Sequence, residues 1–258
     1  QDLSEWDVSN VTDMAYMFSD CRSLDSLDVS DFNTRYVTNM SNMFYNGIGV
    51  SELNVKGFNT SNVTNMASMF HGCSGLTALD VSYLDTAQIT DMSNMFYGCS
   101  GVEELEVRNF DTSKVTNMSG MFGACSKLKK LALERFDTDK VGDMSMMFAG
   151  CTALEYVDVT YFRTYQVQDW SSMFAECSSL KSLNLSSFSY NNITVPSDNM
   201  FKNCSSLKSI MLGSGMSKLD GTDMFTGCTS LNAIITQLNV SFGDDPIEIA
   251  ENTLNNYR

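Results

Sequence analysis

Hydrophobic and polar residues recur along this chain in a fixed pattern, and residues 110–135 contain one copy of that pattern. The first half of this copy has apolar residues at i, i+3, i+4 and i+7, namely Met118, Met121, Phe122 and Cys125. That spacing is typical of one face of a helix. The second half ends in alternating apolar and polar positions, with the apolar ones at Leu128, Leu131 and Leu133. Such alternation is typical of a half-buried strand.

Copies of this unit follow one another along almost the whole chain, and a Met-Phe dipeptide marks each one. The methionines of these dipeptides are Met17, Met43, Met69, Met95, Met121, Met147, Met173, Met200 and Met224. Successive marks are 26 residues apart six times, then 27 and then 24. A fixed period in this range indicates a solenoid, because one repeat alone cannot bury its apolar face. The pattern predicts about nine coils.

An Asn or Asp precedes the helix-like half of the regular copies. The column consists of Asp13, Asn39, Asn65, Asp91, Asn117, Asp143 and Asp169. A side-chain oxygen at this point can accept the free N–H groups of a first helical turn, so the column is interpreted as helix N-caps. Gly123 and Ser126 follow soon afterwards, so each helix is expected to be short.

Each coil is therefore predicted to contain one short strand and one short helix. Stacked coils would form an α/β solenoid with a parallel sheet on one side and helices on the other. Helices are about 10 Å wide, whereas neighbouring strands lie about 4.8 Å apart. This difference predicts a curved solenoid with the sheet on the concave side and the helices on the convex side.

The repeat V-T-[ND]-M-S-x-M-F-x-x-C-x-x-L-x-x-L-x-[LV] resembles that of the BspA-like leucine-rich repeat surface proteins. The resemblance covers roughly residues 1–236 and implies a surface-exposed module that binds proteins or neighbouring cells. One departure concerns the position after the strand, where leucine-rich repeats usually have Asn or Cys. This chain instead has an apolar column there: Phe32, Phe58, Leu84, Phe110, Phe136, Phe162 and Phe188.

Two segments are predicted, a repeat solenoid over residues 1–236 and a C-terminal capping segment over residues 237–258. The repeat stops near Gln237, and Pro246 and a different amphipathic pattern follow. The chain opens inside a repeat, whereas solenoids usually carry polar caps. This opening is expected of a processed product, a fragment, or an end that another molecule covers.

Charge and hydropathy exclude several classes of partner. The net charge is −15, from 31 acidic and 16 basic residues, which disfavours nucleic acids and anionic membrane surfaces. No apolar run approaches the roughly 18 residues that span a membrane. The chain also lacks a phosphate-binding loop and a nucleophile motif, and His71 is its single histidine. The sequence predicts no catalytic activity and no cofactor.

Eight cysteines occupy one position of the coil: Cys21, Cys73, Cys99, Cys125, Cys151, Cys177, Cys204 and Cys228. None is in a C-x-x-C motif, so no zinc or other metal site is predicted. Disulfides between adjacent coils need Cα atoms within about 7 Å, less than the spacing of stacked helices. Buried free thiols are the preferred interpretation, with inter-coil disulfides as the alternative.

The outward positions of the strands are the predicted binding surface. One outward column is rich in acids, and the next includes a Lys and a Tyr beside mixed charge. The predicted binding residues on this concave face are Asp28, Asp80, Glu104, Glu106, Lys130, Tyr156 and Asp158. Three interpretations of the acids stay open: a solvated acidic face, a calcium-binding column, or a surface for a basic protein partner.

The predicted function is a non-catalytic, extracellular or cell-surface module for protein recognition and adhesion to host, matrix or other cells. Its protein partner would bind the concave face. The alternative is a structural subunit whose coils stack end to end into a fibre or layer, which the opening inside a repeat favours.

Overall fold

The chain folds as a parallel β-solenoid of about eight turns. A computed structural model describes residues 3, 5–189, 191–213, 216, 218–219, 221–236 and 241–242. The expected count of nine coils is wrong. One turn of the solenoid runs from one Met-Phe dipeptide to the next, so the nine dipeptides delimit eight solenoid turns.

Short parallel strands pair in register between neighbouring coils of the solenoid. Their bounds are β1 Ser26–Asp28, β2 Glu52–Asn54, β3 Glu104–Leu105, β4 Lys130–Leu131, β5 Ser182–Leu185, β6 Ser209–Leu212, β7 Lys218–Leu219, β8 Ala233–Thr236 and β9 Ser241–Phe242. All described pairs are parallel, and the sheet orders are β1-β2, β3-β4, β5-β6-β8 and β7-β9. Equivalent residues pair, as in Leu27 with Leu53. The predicted parallel stacking is confirmed.

The predicted helices are absent from the described part of the chain, and a series of turns takes their place. The N–H groups of Met118 and Gly120 donate to carbonyls of the next coil at 3.0 and 2.8 Å, whereas Met121 N–H donates to Met118 O at 3.2 Å. An α-helix needs successive N–H groups to bond four residues back. Because every second N–H is taken by the neighbouring coil, the i, i+3, i+4 pattern here produces consecutive turns.

Two left-handed residues four positions apart make these turns possible. In the central coil they are Gly120, with φ of 60°, and Ala124, with φ of 54°. Each is the third residue of a turn closed by an N–H to the carbonyl three residues earlier, the arrangement of a type II turn. We call residues 117–125 and their equivalents in the other coils the turn side.

The Asn/Asp column does use its side chains as acceptors, although no helix follows. Asn117 Oδ1 accepts the N–H of Ser119 at 2.9 Å, and the other members do the same at 2.8–3.0 Å. Backbone bridges also join each member to its equivalent in the next coil, as in Asp91 to Asn117. The predicted capping chemistry is therefore present, but it starts a turn series.

The reason given for a concave sheet does not hold in this structure. Backbone hydrogen bonds join neighbouring coils on the turn side as well as on the strand side. No wide helix therefore separates the coils on one side only. We use the name strand face for the surface formed by the outward side chains of the strand positions.

The core is a stack of aromatic rings between the two sides. Every Phe of the Met-Phe marks is buried, and Phe122 lies 5.8 Å from Phe96 and 5.9 Å from Phe148 between ring centroids. The second apolar column, from Phe32 to Phe188, is buried as well. Both columns confirm the core that the sequence predicts.

A buried threonine ladder, which the sequence analysis missed, lies two residues after the second apolar column. Its members are Thr34, Thr60, Thr86, Thr112, Thr138 and Thr164. Each hydroxyl donates to a backbone carbonyl of the next coil, at 2.8 Å for Thr112 and 3.0 Å for Thr138. These hydrogen bonds do the coil-to-coil bridging expected of the usual asparagine ladder.

The cysteines form a ladder of free thiols. All eight are free, seven are buried and Cys21 is half-buried. From Cys73 onward each Sγ–H donates to a Phe carbonyl of the preceding coil, at 3.0–3.1 Å. Burial raises the pKa of Cys151 to about 12, so this thiol stays protonated and unreactive at neutral pH. The preferred interpretation of the cysteines is confirmed.

The predicted capping segment, residues 237–258, lies outside the described residues except for β9. Ser241–Phe242 pairs in parallel with Lys218–Leu219.

Candidate interaction site on the strand face

The structure brings four of the seven predicted binding residues together around one groove. Glu104, Glu106, Lys130 and Tyr156 all line it, and its volume is about 300 Å³. The remaining lining residues are Leu105, Arg108, Lys129, Leu131 and Ala132. Asp28, Asp80 and Asp158 belong to the same face but do not line the groove.

The groove exists because β3 and β4 are short and the next strand position is not part of the sheet. The pairing of β3 with β4 covers Glu104 with Lys130 and Leu105 with Leu131. Within the described ranges, residues 156–158 form no strand pairing with either neighbouring coil. Tyr156 stands at this interruption with 61% of its surface exposed.

Most charges around the groove are paired across neighbouring coils. Lys129 Nζ lies 2.8 Å from a Glu103 carboxylate oxygen and Lys130 Nζ lies 3.0 Å from one of Glu104. The hydrogen bond and charge of Lys129 lower the pKa of Glu103. Both lysines that line the groove are thus paired with a carboxylate. These exposed pairs contribute little to stability, but they fix the local charge balance.

The third cation that lines the groove, Arg108, is also paired. Arg108 Nε lies 3.0 Å from a Glu134 carboxylate oxygen. Sequence reasoning missed Arg108, although it follows β3 by three residues and the 26-residue period sets Glu134 beside it. With Arg108 included, all three cations that line the groove have a carboxylate partner.

Glu106 is the acid left without a cation. The structure assigns it no ion pair to any residue that it describes. The register that pairs Leu105 with Leu131 places Ala132 beside Glu106, so the directly facing residue of the next coil carries no charge. The preceding coil places Asp80 in the same column, which is also acidic. The groove therefore carries an uncompensated negative charge next to an exposed aromatic ring.

The other predicted acids close local turns. Asp80 Oδ1 accepts the N–H of Ser82 at 3.0 Å and its hydroxyl at 2.6 Å, and Asp158 accepts equivalent bonds from Thr160 at 3.0 and 2.6 Å. The hydrogen bonds from the side chain and backbone of Ser82 lower the pKa of Asp80. These acids are therefore held by their own turns, because the strand ends in an Asx turn.

Asp28 holds the same kind of turn, and asparagine can replace aspartate in it. Asp28 Oδ1 accepts the N–H of Ser30 at 3.0 Å. In the same column Asn54 and Asn184 accept the equivalent N–H at 3.2 and 3.0 Å. These five members of the column thus supply an oxygen acceptor to the turn, whether or not the side chain is charged.

Catalytic or metal chemistry has no support at this site. In the part of the chain that the structure covers, no group of three or more His, Cys, Asp or Glu side chains could hold a metal ion. His71 lies on the turn side, stacked between Tyr45 at 4.6 Å and Tyr97 at 5.0 Å. Among the described residues, no helix is long and apolar enough to cross a membrane.

Several solved bacterial proteins have similar chains. A leucine-rich repeat protein from Bacteroides ovatus is 18% identical over 94% of this chain and 69% of its own, with a TM-score of 0.48. The Treponema pallidum leucine-rich repeat protein is 17% identical over 74% and 72%, with a TM-score of 0.42. A leucine-rich cell surface protein of Faecalibacterium prausnitzii is 21% identical over 79% and 78%, with a TM-score of 0.26. No curated protein matches the sequence.

One protein family matches most of the chain, over residues 1–54, 49–104 and 99–214. Its description is "Mycoplasma protein of unknown function, DUF285". The BspA-like leucine-rich repeat character predicted from the motif is confirmed. By its repeats and by this match, the chain belongs to the DUF285 family.

Proposed function

We propose that this protein is a non-catalytic recognition module that binds a protein partner through its strand face and acts in adhesion at the cell surface. The observation that carries the proposal is the groove beside Tyr156. A ring that is 61% exposed stands there between mixed charges, at a break in the sheet. Tyrosine and arginine are enriched among the residues that dominate protein interfaces.

Charge supports a basic partner. The chain has a net charge of −15, and its ion pairs leave Glu106 uncompensated at the groove. Complementary charges accelerate association and lose influence as salt rises, since the Debye length is about 10 Å at 0.1 M ionic strength. Partner binding through this face should therefore weaken as salt is added.

A pair of tyrosine variants tests whether the groove is the site. Peptides would be selected on the whole protein from a random displayed library, and their affinities then measured for Tyr156→Ala and Tyr165→Ala. Tyr165 is a matched control, because it is 58% exposed and does not line the groove. We expect Tyr156→Ala to weaken binding by about 5–30-fold and Tyr165→Ala to leave it unchanged. Equal effects of the two variants would overturn the proposed site.

The cell-surface role has a separate test. Antibody labelling and protease treatment of intact source cells should reach the protein without permeabilisation. Labelling only after permeabilisation would contradict the adhesion role and leave the binding groove to be judged by the tyrosine variants.

End-to-end stacking is the alternative, and it concerns assembly. It requires a sedimentation coefficient that rises with protein concentration. A coefficient that stays constant over a hundredfold range of concentration would contradict it.

A further inference from the structure

The groove beside Tyr156 combines two features that favour a cation. Glu106 provides a carboxylate without an ion pair within the described ranges, and Tyr156 provides an exposed aromatic face. Carboxylates bind guanidinium groups through charge-assisted, often bidentate hydrogen bonds, and arginine also stacks on aromatic rings. We infer that the groove is a subsite for an arginine side chain presented by the protein partner. This inference rests on the proposed function and names the chemistry that the site recognises.

The charge count around the groove supports this assignment. Its three cations, Arg108, Lys129 and Lys130, each lie within 3.0 Å of a carboxylate from a neighbouring coil. The carboxylates that they neutralise are Glu134, Glu103 and Glu104. After these pairs form, Glu106 carries the remaining charge. An incoming cation can therefore pair with Glu106, whereas the carboxylates of the three ion pairs already have cationic partners.

The surroundings of Glu106 leave room for a planar guanidinium. Ala132, at the register position beside it, has a side chain of one carbon and is half-buried. The adjacent coil is outside the sheet at residues 156–158, so the groove stays open toward Tyr156. A longer residue at position 132 would fill this space, as Lys130 does opposite Glu104.

Other acids on the strand face do not offer the same site. Asp28, Asp80 and Asp158 already accept hydrogen bonds from their own turns, at 3.0 Å from the backbone in each case. The hydrogen bonds from Ser82 lower the pKa of Asp80 the most, and the charge of nearby Lys56 lowers it further. These acids provide a matched control, since Asp28→Asn removes the same charge and Asn54 shows that asparagine keeps the turn.

The experiment is an NMR titration of the whole protein with acetyl-Gly-Gly-Arg-Gly-Gly-amide. The neutral control peptide carries citrulline, which has the shape of arginine without its charge. We expect the arginine peptide to shift the amide signals of Ala132 and Tyr156 with a millimolar dissociation constant, and the citrulline peptide to bind at least about fivefold more weakly. Equal affinities of the two peptides, or no shifts at millimolar concentrations, would overturn the inference.

Variants test separately whether the Glu106 carboxylate and the Tyr156 ring bind the arginine peptide. Glu106→Gln should weaken the arginine peptide by about tenfold, whereas Asp28→Asn should leave it within about twofold. Tyr156→Ala should weaken it by about two- to fivefold, and Tyr156→Phe should restore it because the aromatic face remains. Equal losses from Glu106→Gln and Asp28→Asn would show only a general charge effect and would overturn the subsite.

The same variants separate this inference from the proposed function. If the displayed-library peptides depend on Tyr156 but tolerate Glu106→Gln, the strand face binds protein and the arginine subsite is wrong. If they depend on neither residue, both proposals fail.

Discussion

The buried threonine ladder makes a sharp prediction about stability. Thr138 is 1% exposed, and its hydroxyl donates to the carbonyl of Arg163 at 3.0 Å while accepting the N–H of Arg163 at 2.7 Å. Thr138→Val keeps nearly the same shape but removes the hydroxyl. The change therefore isolates the hydrogen bonds from the packing of the side chain.

The expected magnitude follows from the two backbone groups left behind. An unsatisfied buried donor or acceptor costs about 1–3 kcal/mol. The bonds to Arg163 are partly buried, so each group should cost a value in the lower part of this range. We expect Thr138→Val to lower the free energy of unfolding by about 2–4 kcal/mol, and the melting temperature by about 5–10 °C.

Two control variants and a denaturation assay decide the outcome. Thr138→Ser keeps the hydroxyl and loses one methyl, so it should cost about 1 kcal/mol. Thr116 is exposed and donates to Thr90 O at 3.1 Å, a bond that water can replace, so Thr116→Val should change stability by less than about 0.5 kcal/mol. Urea unfolding followed by circular dichroism measures all three. A Thr138→Val cost no greater than that of Thr138→Ser would refute the account of the ladder.

Four further predictions follow from the core and the surface. Phe122→Ala should cost about 3–5 kcal/mol in urea unfolding, and Phe225→Ala should cost less, since Phe225 is 7% exposed whereas Phe122 is fully buried. Thiol titration should detect few reactive cysteines in the native protein and most of eight after denaturation without reductant, whereas four disulfides by mass spectrometry would contradict the thiol ladder. Burial lowers the pKa of His71, so its contribution to stability should be full above pH about 6.5 and should fall as the pH drops below that value. His71→Phe should flatten this part of a plot of unfolding free energy against pH. An unchanged slope would show that His71 is not the group responsible. Asp80→Lys should destabilise the protein by about 1 kcal/mol through loss of the Asx turn, while Asp80→Asn should be nearly neutral. If thermal melts show the Lys variant to be more stable than the Asn variant, charge repulsion is the dominant effect.

Much of the architecture could be predicted from the sequence because it depends on periodicity. A 26-residue period forces equivalent residues to stack, so the buried columns of Phe, Met and Cys follow from the position of each residue in its copy. The Asx acceptors and the free thiols were also predictable. Their chemistry is local, and the repeat places each one in the same environment.

The helices were a wrong prediction for a definite physical reason. The i, i+3, i+4 spacing around Met118 and Phe122 states which side chains face the core, and a run of turns satisfies it as well as a helix does. The choice depends on whether the N–H of Met118 bonds within its own coil or to Asp143 O of the next. That competition exists only once the coils are stacked. The argument from helix width to curvature loses its premise for the same reason.

The candidate site shows the same division. The sequence by itself determined which side chains point outward and which residues share a column, because alternation along a strand and the repeat length specify both. Only the tertiary structure decided which acids are engaged. Lys130 reaches Glu104 from the next coil, Asp80 turns back onto Ser82, and Glu106 faces the alanine at position 132. Those outcomes depend on contacts between coils and on how each strand ends, and a column of one-letter codes contains neither.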